Sequence, residues 1–322
     1  MLDKSTPSEF SAINRAYNSV FKPDRLSIGL VVPIEAYPVG AAPTMNGHIE
    51  TAKLAEGLGF SALWLRDVPF DVPSFGDVGQ LFDPFVYLGA LAGATHRIAL
   101  GTASIILPLR HPAHVAKAAA SADVLSDGRL LLGIASGDRP EEYPALKAGY
   151  ADRGARFRES VAYIRAMGTP YPQHDSIYGS LSGQIDMLPK PVAGRVPMLV
   201  TGGSQQSPEW VAQNGDGWIT YPRDAATQGQ VIASYRGRVA ASGQADKPVM
   251  QSLYVDLLSV AAAQPRSVHL GFQSGTDFLR RYLKDIEALG VNHVALNLRF
   301  NKAPIDQTLK RLADKVLPDF SL

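Results

Sequence analysis

The stretch VTGGSQQSPEW, residues 200–210, sets two glycines at the end of an apolar run, followed by Ser204, Ser207 and Pro208. Glycines at a strand end let backbone N–H groups converge, the two hydroxyls can donate, and a proline opens a helix whose N-terminus favours negative charge. That is the chemistry of a phosphate cradle, although the same letters also fit an ordinary loop. A second stretch, LGTASIILPLRHP at residues 100–112, starts as a strand and stops at Pro108. Its middle consists of Gly101, Thr102, Ala103 and Ser104, side chains small enough for a flat ligand to lie against the backbone, or simply suited to a tapering interior. Arg110 and His111 follow as candidates for holding negative charge or touching a substrate; His111 before Pro112 suits helix capping equally well. Arg66 and Asp67 read as a surface ion pair. His48, His96, His114, His174, His269 and His293 show no metal-binding spacing, so no metal site is expected, and Trp64, Trp210 and Trp218 read as core.

Placing these groups requires the elements around them. Apolar strand-like runs alternate with helical stretches from residue 26 onward. The runs are Leu26 to Ile34, Ala62 to Leu65, the strand beginning at Leu100, Leu130 to Ala135, Val196 to Val200, Trp218 to Thr220, Val249 to Leu257 and Val291 to Leu298. Near-continuous apolar strands separated by helices imply a parallel sheet covered on its faces, and eight such units imply a closed (β/α)8 TIM barrel. Leu279, Tyr282, Leu283, Ile286 and Leu289 recur at helical spacing, with Gly290 as the stop. The competing open doubly wound sheet lacks its G-x-G-x-x-G fingerprint after the first strand. Two long insertions, Asp67 to Asp83 and Tyr171 to Pro191, depart from the repeat, and the first is expected over the C-terminal mouth of the barrel. Residues 1–25 read as an N-terminal arm or short surface helix, and 26–322 as a single barrel domain.

Composition narrows the partners. With 31 basic and 30 acidic residues intermixed, a net charge of +1 leaves no electrostatic footprint for nucleic acid or an anionic membrane. The absence of cysteine excludes disulfides, thiolate nucleophiles and iron–sulfur clusters. No apolar stretch approaches the roughly 18 residues of a membrane span, and no signal-like h-region opens the chain. A cytoplasmic protein acting on small molecules is the expectation.

The segments GFSALWLRD, RIALGTASIILPLRHPAHVAK, LSDGRLLLGIASGD, PMLVTGGSQQSPEW, GDGWI and LGVNHVALNLR, in this order over nearly the whole chain, make it resemble the bacterial luciferase-like flavin-dependent monooxygenase superfamily. The resemblance implies a luciferase-like barrel with insertions at its C-terminal mouth. It implies that Thr102, Ala103 and Ser104 lie beside the flavin ring, with a non-proline cis peptide at Ala103–Ser104. It further implies that Ser136 and Gly137 border the flavin, and that Thr201, Gly202, Gly203 and Ser204 bind its phosphate. Arg156 matches an arginine that reaches that phosphate, a task suited to a permanently charged, bidentate fork; Arg153 and Arg158 are rivals for it, and a solvated helix face is the plainer alternative.

One departure stands out. Bacterial luciferase carries two histidines after its second strand, whereas Val68 and Pro69 stand here, so light emission is not expected. The activity implied is a two-component FMN-dependent monooxygenase, inserting oxygen into a small organic substrate with reduced FMN from a separate flavin reductase, and forming a homodimer. The alternatives are an F420-dependent hydride-transfer enzyme of the same fold, a non-enzymatic flavin-binding protein, and a barrel that binds no flavin. No residue is identified as acid or base; Arg110 and His111 are the only candidates offered for a catalytic part.

Overall fold

The structure, a computed structural model, describes residues 9–320; residues 1–8 of the expected N-terminal arm lie outside the described residues. Eight parallel strands close on themselves: β1 Ser27–Val31, β2 Ala62–Leu65, β3 Ala99–Thr102, β4 Leu130–Ala135, β5 Met198–Thr201, β6 Gly217–Thr220, β7 Val249–Leu257 and β8 His293–Asn297. Each pairs with the next, and β8 returns to β1 with Ser27 opposite His293. β2, β4 and β7 begin and end on the residues where their apolar runs do. Eight helices make up the outer layer: α2 His48–Gly57, α3 Pro84–Ala94, α4 Pro112–Leu125, α6 Arg153–Ala166, α7 Pro208–Asn214, α8 Ala225–Ala241, α9 Thr276–Ala288 and α10 Ile305–Lys315; a four-residue turn, α5 Glu142–Ala145, and α1 Arg15–Val20 lie outside this repeat. Helix α9 buries Leu279, Leu283 and Ile286 as its spacing predicts, and Gly290 after it takes a φ of +96°.

Helix α1 is not a surface helix. Ala16, Tyr17, Val20 and Phe21 are buried in one apolar cluster with Val31, Trp64, Leu131, Leu199, Ile219, Met250 and Ala295 from alternate positions of the strands. α1 thus plugs the N-terminal end of the barrel. Asn14 ties the plug in place by accepting from the Tyr17 N–H and donating to Asp123 and to the Leu130 carbonyl. Sequence could not show this, because a six-residue amphipathic segment reads alike on a surface and in a barrel end.

Inside the plug, Trp64 Nε1 donates to His293 Nε2 at 2.8 Å. An indole N–H is only a donor, so His293 carries its proton on Nδ1 and donates to Ser27 Oγ, which in turn donates to the Val20 carbonyl. Burial pushes the imidazole down to about 3, keeping it neutral.

Three insertions surround the barrel. The segment from Asp67 to Asp83 crosses the mouth as a loop with a single 3-10 turn, Pro73–Phe75. The second contains the hairpin Gln173–Ser176 with Gly179–Ser182. A third, which the sequence pattern did not reveal, is the hairpin Arg266–Val268 with Gly271–Ser274, whose second strand extends the sheet beside Tyr254–Leu257. Its strands are short and polar, so no apolar alternation marks them.

Candidate functional site at the barrel mouth

β5 delivers Thr201 to the rim, and the chain then turns sharply. Gly202, Ser204 and Gln205 all adopt positive φ, at +55°, +44° and +60°. Among the described residues, the backbone N–H groups of Gly203, Ser204 and Gln205 donate to no protein acceptor, and such a turn with converging amides is an anion-binding concavity. The Ser204 hydroxyl is directed back to the Thr201 carbonyl at 2.7 Å, so Ser204 offers its N–H, not its side chain. Gln206 bonds the Gly154 carbonyl and Arg158 bonds Gln206, fastening the turn to the start of α6. Trp218 Nε1 donates to the Gly202 carbonyl at 2.9 Å, which fixes the turn from β6.

The three arginines of α6 separate clearly. Arg153 is held on Tyr150, by a bond to its carbonyl and by stacking 3.7 Å from its ring centroid. Arg158 is engaged by Gln206. Arg156 makes one long bond, 3.4 Å to the Pro108 carbonyl, and lies 5.5 Å from the Tyr178 ring; its buried Nε has no partner, as is also true of the Arg153 Nε, so what sets Arg156 apart is the weakness of its other contacts. A buried guanidinium N–H without an acceptor is costly, and an anionic oxygen supplied from outside would satisfy it.

Beside this turn runs the wall made by the ends of β3 and β4. The Ala103–Ser104 peptide is cis. The Ser104 and Thr201 hydroxyls bond each other and join β3 to β5 across the rim. Ser136 is buried, and its hydroxyl has no partner among the described residues, while its carbonyl accepts from Tyr143. Gly137, at φ +79°, lies so close to Ile106 and Tyr143 that a Cβ would stand 2.8 Å from each. Thr102 is different: it is fully buried and its hydroxyl donates to the Gly133 carbonyl at 2.8 Å, which leaves it nothing to offer a ligand. Gly101 serves neither ligand nor turn, since the Trp64 ring fills the space where its side chain would be.

Arg110 and His111 are occupied with structure. Arg110 grips Asp67 with two bonds, 2.9 and 2.7 Å, and Asp83 with a third at 2.8 Å. Both carboxylates hold the guanidinium well above its usual range despite its burial. His111 is exposed and caps α4, its Nδ1 accepting from the Ala113 N–H. Arg66 and Asp67 are not an ion pair with each other: Asp67 faces Arg110, and Arg66 binds Asp77 at 2.5 Å inside the mouth.

A second network at the mouth, made by residues that follow β1, β2, β4 and β8, is one the sequence did not disclose. Asp77, carried in by the loop after β2, bonds Arg66, Arg299 at 3.1 Å and the Tyr37 hydroxyl at 3.0 Å, and its backbone carbonyl accepts from Arg139 at 2.9 Å. Glu142 lies 4.0 Å from Arg139, and burial pushes its carboxyl up to about 6. These partners lie up to 222 positions apart in the chain, so no local pattern announces them. No cluster of candidate metal ligands occurs among the described residues, and no helix among them is long and apolar enough to cross a membrane.

A family model described as luciferase-like monooxygenase matches residues 26–290. Among curated proteins, an uncharacterized protein of Mycobacterium tuberculosis is 33% identical over 192 residues, covering 54% of this chain and 67% of that protein. The F420-dependent hydroxymycolic acid dehydrogenase of the same species is 28% identical over 197 residues, 60% of this chain and 53% of that one. The match thus spans about half to two thirds of these relatives' length. The solved monooxygenase RslO1 from Streptomyces bottropensis superposes with a TM-score of 0.76 at 20% identity, over 92% of this chain and all of that one. An F420-dependent secondary alcohol dehydrogenase does so with a TM-score of 0.74 at 16% identity, over 91% and 98%. The FMN-bound oxygenating constituent of 3,6-diketocamphane monooxygenase from Pseudomonas putida gives 0.72 at 16%, over 92% and 99%. At these identities the solved structures establish a shared barrel, and the family model establishes descent: this chain belongs to the luciferase-like monooxygenase family.

Proposed function

We propose that the protein is an FMN-dependent monooxygenase, taking reduced FMN from a separate flavin reductase and acting with oxygen on a small organic substrate. The observation that carries this reading is the turn Gly202–Gln205, whose N–H groups at Gly203, Ser204 and Gln205 are free and which Gln206 fastens to Gly154 at the start of α6, the helix that carries Arg156 with its unpartnered Nε. That donor set fits a phosphate monoester. Gly203 and Ser204, with Arg156, would hold the phosphate, and Ala103, Ser104, Ser136 and Gly137 would border the ring, the Ser136 hydroxyl being available to it. Thr102 acts only behind that wall, by holding β3 against β4. When bound, the flavin supplies the electron pair that activates oxygen. The chain's own part is to fix the cofactor by its phosphate, exclude water with the loop over the mouth, and orient the substrate. A cytoplasmic homodimer completes the reading.

The same donors fit the phosphate of F420, and the 28% identical F420-dependent dehydrogenase favours that second reading. Titration with FMN, reduced FMN and F420 distinguishes them, with tryptophan fluorescence as the readout because Trp218 bonds the cradle. FMN binding together with oxygen consumption in the presence of a flavin reductase and a substrate panel supports the monooxygenase. Binding of F420 alone moves the protein to hydride transfer, and binding of neither overturns both.

A further inference from the structure

We infer that the mouth binds the carboxylate of an organic acid between Arg66 and Arg299, in the place that the loop carboxylate of Asp77 occupies. The inference rests on reading the mouth as the active site and names the substrate class.

Asp77 satisfies Arg66 and Arg299 at the same time, one oxygen toward each. The oxygen that faces Arg299, Oδ1, also accepts from the Tyr37 hydroxyl and from the Gly79 N–H, 3.0 Å each. This is how a site for a free carboxylate is built: two guanidiniums and a phenol converging on one anion. The residues that make it come from the strand ends of a rigid barrel, Arg66 following β2 and Arg299 following β8. The anion comes from a loop, with Gly76 and Gly79 at φ +71° and +68° on either side of it.

The cluster also holds more donors than Asp77 uses. Arg299 is 4% exposed and its Nε has no partner; Arg139 is 5% exposed and its Nη1 makes no hydrogen bond, facing Glu142 Oε1 at 4.0 Å. The groups around Asp77 comprise three guanidiniums, Arg66, Arg139 and Arg299, against two carboxylates, Asp77 and Glu142; Asp138 lies exposed on the rim. Aromatic rings pack around Arg299. Arg299 sits 4.6 Å from the Tyr37 ring and 5.5 Å from that of Phe300, and Tyr254 packs on Phe300. An acid with an apolar body matches both parts. A carboxylate tethered by a short loop competes at an effective concentration on the order of millimolar, so Asp77 both protects the arginines and sets a threshold for the incoming acid.

The test uses cofactor-free protein with hexanoate, hexanol and hexylamine, followed by calorimetry and by hydrogen exchange over residues 70–82. Hexanoate is expected to bind at least about tenfold more tightly than either analogue and to speed exchange at Gly79, whose N–H loses its acceptor. Asp77→Ala is expected to bind hexanoate at least about tenfold more tightly than the wild type, because the tethered competitor is gone. If that variant does not fold, Asp77→Asn and the wild-type exchange data carry the test. Equal binding of hexanol, or hexanoate binding that leaves the exchange of the loop unchanged and survives Arg299→Gln, overturns the inference. A parallel FMN and F420 titration keeps the two readings apart. Cofactor binding without hexanoate binding removes the substrate class alone, and hexanoate binding without either cofactor removes the flavin reading alone.

Discussion

Gly101 lies against the six-membered ring of Trp64 so closely that a Cβ would stand 2.4 Å from Trp64 Cε3. Trp64 cannot retreat, because its indole N–H is bonded to His293 at the barrel axis. Gly101→Ala is therefore expected to destabilise the protein by about 1–3 kcal/mol or more through overpacking, measured by urea unfolding. An unchanged midpoint would mean the ring has freedom that its hydrogen bond denies.

The buried His293 gives the fold a defined acid sensitivity. Its pKa is about 3 when folded and about 6.5 in an unfolded chain, so between these values the unfolded state binds the extra proton. Stability must fall as the pH drops below about 6.5, with a slope of up to about 1.4 kcal/mol per pH unit from this residue. In His293→Gln that slope is expected to be smaller by nearly one proton at pH 5, whatever the variant's absolute stability. Identical slopes in wild type and variant would show that the ring is not held neutral.

Arg110 tests whether a charge at the mouth serves structure. Asp67 has a 1% exposed side chain and accepts from Arg110 twice and from the Ile106 N–H. Arg110→Ala leaves that carboxylate buried without its cation, a loss of about 3–5 kcal/mol. Arg110→Lys is expected to recover only part of it, since an ammonium cannot reproduce the two-pronged grip. Full thermal stability in Arg110→Ala would return the residue to the list of ligand contacts.

At the phosphate turn, Arg156→Gln is expected to weaken binding of the phosphate-bearing cofactor by about tenfold to a hundredfold, about 1.4–2.7 kcal/mol. Raising the salt concentration should narrow the difference. Gly203→Asp, which places a negative charge on the exposed turn, is expected to abolish binding while leaving the melting temperature nearly unchanged. Equal affinity in wild type and both variants would locate the phosphate elsewhere.

The barrel was legible because its strands are buried on both faces. Ala62–Leu65 and Leu130–Ala135 are runs without a polar side chain and Val249–Leu257 is a largely apolar one, all with ends that coincide with the strand ends, and the cis peptide at Ala103–Ser104 followed from family likeness. What stayed hidden is long-range. Asp67 looks for its partner 43 positions away and finds Arg110, although Arg66 stands next to it. Asp77 sits in a polar loop like any other until the fold brings Arg299 to it. The small residues at 101 and 102 read as room for a ligand, whereas one makes way for Trp64 and the other is bonded to Gly133. Size is written in the sequence, but the neighbour that demands it is not.

The hydrogen bond from Trp64 to His293 spans 229 positions, and that from His293 to Ser27 spans 266. Neither can form until the last strand has been synthesised and has reached the first. Until then β1 presents an unpaired edge, and the plug formed by Tyr17 and Phe21 has an incomplete wall to close against. Such distant pairings make closure a late and slow event, and a nascent chain of this kind depends on shielding of its open edge before the eighth strand arrives. The residues that make the base of the barrel dry in the finished molecule thus also fix the order in which that molecule can be completed.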